Sequence, residues 1–151
     1  MTAPAEPRPV ESFAGILADW LSAFTVPQEL AGEMADACAA GAPWAAGVAG
    51  VAARRAGWRE PEAVAWGIAA GAVAGALEAA RRSLEPAPAG VRAADGPALS
   101  LLAADGLIAA AHEALSSLSP DRLAAAMAAL EEALGVGGPW RGLSPHWPRP
   151  A

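Results

Sequence analysis

Apolar residues recur along this chain at the i, i+3, i+4, i+7 spacing of a single helical face, and capping signals divide them into segments. Phe13, Ile16, Leu17, Trp20, Leu21 and Phe24 make the clearest such stripe, with Ser12 placed to cap it. Thr25 and Gln28 have the spacing of a capping box with Pro27 in the first turn, opening a second helix whose stripe is Leu30, Met34 and Cys38. Gly41 and Pro43 are expected to stop it, after which Trp44 to Ala56 resumes as a third helix with Val48, Val51 and Ala52 inward. Gly57 to Pro61 reads as a turn. Pro61 then opens the longest run without a proline, Glu62 to Arg82, and Pro86 closes it. Beyond a Pro- and Gly-bearing loop, EPAPAGVRAADG, Asp95 and Pro97 start a fifth helix reaching Leu118, with Leu99, Leu102, Leu107 and Leu115. Ser119 and Pro120 start a sixth, with Leu123, Met127, Leu130 and Leu134 inward, Glu131 and Glu132 outward, and its end at Gly135.

No stretch alternates with period two, so the expectation is an all-α, single-domain bundle of about six helices. Residues 1–10, with prolines at 4, 7 and 9, read as a flexible N-terminal arm; 11–135 form the helical domain; 136–151 make a Gly-, Pro- and Trp-rich C-terminal tail. The fourth segment is its predicted centre. Gly67, Gly71 and Gly75 recur there every fourth residue on one face, and each glycine costs a helix interior about 1 kcal/mol relative to alanine. Three on one stripe imply a neighbouring helix brought to backbone contact. The same GxxxGxxxG run, flanked by Trp66 and an arginine pair, is also the pattern of a membrane-spanning helix. Its apolar stretch between Glu62 and Glu78 is mostly Ala and Gly and falls short of the ~20 strongly apolar residues a span wants, which favours a buried helix over a single membrane span.

Composition narrows the chemistry. The net charge is −6 and every basic residue is an arginine, which argues against nucleic acid as a partner and excludes a Walker phosphate loop or Schiff-base catalysis, both of which need lysine. Cys38 is the single cysteine, so an intrachain disulfide is impossible and a reducing cytoplasm is the expected compartment. Cys38 shares its stripe with Leu30 and Met34, as a small core residue would. His112 and Glu113 are adjacent but have no second histidine at zinc-helix spacing. Asp105 interrupts an apolar run and needs either donors or water. Arg54 with Arg55, and Arg81 with Arg82, fall at helix C-termini where cations complement the dipole. Trp20, Trp44, Trp58 and Trp66 are expected in the core or between helices, and Trp140 and Trp147 in the tail.

Four segments resemble, in order, the N-terminal half of a trans-isoprenyl diphosphate synthase of the polyprenyl synthetase family. PQELAGEMADACAAGAPW resembles the helix leading into that family's GGKRxRP motif, and EPEAVAWGIAAGAVAGALEAARRSLE the helix that ends in its first Asp-rich motif. DGPALSLLAADGLIAAAHEAL is similar to the family's FGxATAILAGDALLxxAFExL, and LEEALGVGGPWRGL to the short-chain enzymes' segment around GxxGMxxGQ. The likeness runs from about Pro27 to Leu143 and implies the N-terminal half of the isoprenoid synthase fold.

The departures carry the functional expectation. In the family, two Asp-rich motifs hold Mg²⁺ that grips the allylic diphosphate, a task for hard oxygen ligands. Arg81, Arg82, Ser83, Leu84 and Glu85 stand near the first motif, and no two aspartates lie within five positions of each other. GAPWAAG, from Gly41 to Gly47, replaces the basic residues that clasp the second diphosphate, and Leu143 stands where the family has glutamine. The resemblance therefore implies a chain that is not an enzyme by itself and has no cofactor of its own, with Mg²⁺ entering only through a catalytic partner. Half-length, motif-less members of such a family act as accessory subunits, so the expected partner is a full-length prenyl diphosphate synthase or a second copy of the chain. Family dimers join through helices after the first Asp-rich motif; here Leu99, Leu102, Leu107 and Ile108 spread too widely for one core and are the expected interface. The competing expectation is a stand-alone helical module, homodimeric or not, that keeps an apolar isoprenoid-like ligand.

Overall fold

A computed structural model describes residues 26–85 and 96–134, together with Asp19. Among the described residues the chain is all-helical without a strand, in four helices: α1 (Gln28–Arg55), α2 (Glu60–Ser83), α3 (Gly96–Leu115) and α4 (Pro120–Leu134). The expected helix over Phe13–Phe24, the N-terminal arm, most of the loop before α3 and the C-terminal tail with Trp140 and Trp147 lie outside the described residues; of the first of these only Asp19, off its apolar stripe, is described, and it is exposed.

The second and third expected helices are one. α1 runs for 28 residues straight through Gly41 and Pro43. A proline inside a helix deprives the carbonyl four residues earlier of its donor, and here both Ala39 and Pro43 are on the exposed side, where water can take that donor's place. Their buried neighbours Ala42 and Ala46 hold the helix against α2 on either side of the break in hydrogen bonding. The helix begins at Gln28 with Pro27 as its N-cap residue and no side-chain cap, two positions later than the capping-box spacing suggests. It ends where the sequence says it must: Gly57 takes φ +78°, the left-handed turn that glycine adopts freely. Trp58 N–H then reaches the Ala53 carbonyl at 3.0 Å and Gly57 N–H the Arg54 carbonyl at 3.0 Å, a Schellman closure.

α2 is the centre of the bundle. It starts after an extended Arg59, carries Pro61 in its first turn, and buries Glu62, whose carboxylate accepts the Arg59 N–H at 3.2 Å as a capping box. Gly67, Gly71 and Gly75 are all buried. A Cβ on Gly67 would sit 2.9 Å from the Ala46 carbonyl oxygen and 3.8 Å from Gly50 Cα, so α1 passes at backbone distance. A Cβ on Gly75 would collide with Cys38 Sγ and lie 3.2 Å from Leu107 Cδ1. Cys38 opposite Gly75, Ala46 opposite Gly67 and Gly50 opposite Ala63 define one antiparallel register, with equal steps along both helices.

This close approach corrects the inward face assigned to the end of α1. Val48, Val51 and Ala52 point outward, and Ala42, Ala46, Gly50 and Ala53 point inward. At backbone distance only the smallest side chains fit between two helices, so the face chosen for contact is the one with least apolar bulk. Trp44, expected inside, is exposed for the same reason. α3 lies on α2 through Leu107, near Gly75, and reaches α1 at Gly106, where a Cβ would be 3.2 Å from Met34 Cε. α4 adds Ala126 and Leu130 to the core, with Leu123, Met127 and Leu134 half-buried beside them and Glu131 and Glu132 in solvent. The core is mainly alanine, and its largest fully buried side chains are Leu107, Leu115 and Cys38.

Candidate functional site

The strongest concentration of polar side chains between elements lies where the end of α2 meets the beginnings of α1 and α3, around Arg81, Arg82 and Glu85. Glu78 sits one turn before Arg81 and Arg82, so helical spacing alone brings the three together. Glu78 accepts two hydrogen bonds from Arg81, both at 2.8 Å, and one from Arg82 Nε at 3.1 Å. These donors hold its carboxyl at about 2, the Arg81 bond foremost. Glu85 also pairs with Arg81, whose own pKa is raised by its bonds to Glu78 and then Glu85.

Arg82 does what spacing could not predict. Its Nη2 donates to the Asp36 carbonyl of α1 at 3.0 Å, and its Nη1 lies 3.8 Å from Glu33 Oε1. That same Glu33 oxygen accepts a hydrogen bond at 2.7 Å from Ser100 Oγ, a buried hydroxyl on α3. Glu33 and Ser100 went unsingled in the sequence because 67 residues separate them; the one signal was a hydroxyl inside the apolar run of α3. The arrangement binds three helices with charge-assisted bonds and leaves Arg82 committed to protein oxygens. Among the described residues, no three His, Cys, Asp or Glu side chains are grouped as ligands of a metal ion.

The other candidates separate. Leu102 is 57% exposed and its neighbour Leu101 is 54% exposed, whereas Leu99 is half-buried. Leu107 belongs to the chain's own core at 0% exposure, and Ile108 packs half-buried against that core, so neither forms an open interface with Leu102. Adjacent positions on a helix point about 100° apart, and this divergence is what turns Leu101 and Leu102 outward while Leu107 faces α2. His112 is exposed with Nδ1 2.8 Å from the Ile108 carbonyl, Glu113 is exposed, and Asp105 faces solvent. Cys38 is buried, and burial pushes its thiol up to about 12, the opposite of an activated nucleophile. Arg54 forms a two-bond pair with Glu60 at 2.6 and 2.7 Å, tying the end of α1 to the start of α2.

At the far end of the bundle, Trp58 and Trp66 stand 6.3 Å apart at a 44° tilt, and the Arg122 guanidinium lies 5.0 Å over the Trp58 ring. Glu62, under the same end, is held at about 2, first by the Arg59 side chain and also by the Arg59 N–H and Ser119. These contacts join the α1–α2 turn to α4. By length and hydropathy both α2 and α3 are long and apolar enough to cross a membrane; 61% of the apolar window of α2 is buried inside the bundle, as against 39% for α3. Comparison with family models, with curated proteins and with solved structures finds no significant match to the chain.

Proposed function

We propose that this chain is a non-catalytic, polyprenyl synthetase-like accessory subunit, cytoplasmic, that associates with a full-length isoprenyl diphosphate synthase and adjusts its activity or product length. The observation that carries the reading is the use made of Arg81 and Arg82. Where the resemblance calls for carboxylates that hold Mg²⁺ and a diphosphate, this chain has two guanidiniums clamped by Glu78, Glu85 and Glu33. A cation already occupies those carboxylates, and the cluster works as a tie between helices. Exposed Leu101 and Leu102 on α3, the helix corresponding to the family's association region, support a partner at that face.

The test has two arms. Homogeneous chain given Mg²⁺, isopentenyl diphosphate and an allylic diphosphate is expected to make no prenyl product, and co-expression with a full-length synthase from the same genome is expected to give a stable complex with altered product length. Metal-dependent turnover by the chain alone would overturn the non-catalytic reading. A chain that ignores the synthase and leaves its products unchanged would remove the subunit reading and leave the free-standing helical module.

A further inference from the structure

The outer face of α1 offers a second surface, separate from the α3 leucines. Between Asp36 and Arg54 no side chain is charged, and apart from Trp44 and the buried Cys38 every residue is Ala, Gly, Val or Pro. Trp44, Val48 and Val51 lie along this face at i, i+4, i+7, all exposed. Gly41 and Gly47 on the same half of the helix have open space where a Cβ would be, so nothing within the described chain requires them to be glycine. At its ends the face carries charges of opposite sign: Asp36, whose carboxylate has no ion pair among the described residues, and Arg55, whose guanidinium has none either.

We propose that this face is the contact between two copies of the chain, with the two α1 helices antiparallel about a two-fold axis between Gly47 and Val48. A two-fold interface must be complementary to itself, because the same patch supplies both halves. This one is, in both size and charge. With the axis there, Trp44 lies level with Val51 of the second copy, and Val48 level with the open Gly47, so each bulky side chain meets a smaller one. Arg55 of the second copy lies level with Ala40, one turn or about 6 Å from Asp36, within reach of an extended arginine. Each copy thus completes the other's unpaired charge. The contact is antiparallel because a parallel pairing would set Asp36 against Asp36 and Arg55 against Arg55. A foreign helix would need no such matching of one patch to its own reverse. The pairing leaves Leu101 and Leu102 of each copy free, so it stands independently of the subunit reading.

Light scattering on the full 151-residue chain, 15.0 kDa per copy, is expected to give twice that mass at micromolar concentration. Val48→Arg is expected to give a folded monomer whose melting temperature no longer depends on protein concentration, since Val48 is half-exposed in the single chain. Asp36→Arg and Arg55→Asp are each expected to weaken the dimer about tenfold at low salt, and their combination to restore it. A monomer at all concentrations, a dimer that survives Val48→Arg, or charge reversals without effect would each overturn the proposal. So would a monomer that loses its exposed Trp44 fluorescence maximum to vesicles of neutral phosphatidylcholine, because lipid would then be the occupant of the face.

Discussion

Gly67 and Gly32 are both helical glycines, and alanine at each position has opposite consequences. Alanine favours a helix over glycine by about 1 kcal/mol. At Gly32 nothing lies within 4 Å of the added Cβ, so Gly32→Ala should raise stability by ~0.5–1 kcal/mol. At Gly67 the Cβ meets the Ala46 carbonyl oxygen, a backbone atom that cannot rotate aside, and α1 as a whole must retreat. Overpacking of this kind costs ~1–3 kcal/mol, so Gly67→Ala should lower stability despite its better propensity. Urea midpoints at unchanged m-value measure both. Spacing alone made Gly67 and Gly75 legible as close-packing positions; what it could not reveal was the partner, because Ala46 and Cys38 are set by the register of two helices. The site divides the same way. Glu78 with Arg82 is a helical i, i+4 pair open to any reader of the sequence, whereas Glu33 and Ser100 meet only after folding.

Among elements, α1 shows most clearly where reading by bulk fails. Its sequence contains a proline that ordinarily ends a helix and a stripe of valines that ordinarily faces a core, and both signals yield to the requirement that α1 and α2 touch along small residues. The helix endures Pro43 at a loss of about 3 kcal/mol relative to alanine in a helix interior. Pro43→Ala restores a donor for the Ala39 carbonyl on an exposed face, and should raise stability by ~1–3 kcal/mol, seen as a higher urea midpoint. The ties at the two ends of α2 respond to acid. Glu78 and Glu62 both titrate at about 2 in the folded chain against an ordinary 4.5, so the native state holds their charged form. Their stabilisation is complete above about pH 5 and is lost as pH falls toward 2, because the unfolded chain takes up the protons first. Glu78→Gln should lower stability at pH 7 and flatten the decline between pH 5 and 2, recorded as melting temperature against pH.

At the scale of the whole molecule, Cys38 sits where α1, α2 and α3 converge, against Gly75 and beside Leu107. No local fraying exposes it, because each of the three helices would have to leave the other two. Its thiol is pushed up to about 12, so little thiolate exists in the folded chain to react with a disulfide reagent. Labelling must then wait for an opening of the entire core, and its rate measures that opening. For a domain stable by ~5–10 kcal/mol, Cys38 should react on the order of 10⁴–10⁷-fold more slowly than in denaturant. Gly67→Ala should speed the reaction and Pro43→Ala slow it, each in proportion to its change in urea midpoint. The proposed pairing of α1 helices adds a concentration dependence, since the dimer must dissociate before the core opens, and protection should rise with protein concentration. Labelling of Cys38 at a rate independent of all these changes would mean that α1 opens from α2 locally, and the three-helix convergence at Gly75 would have to be abandoned.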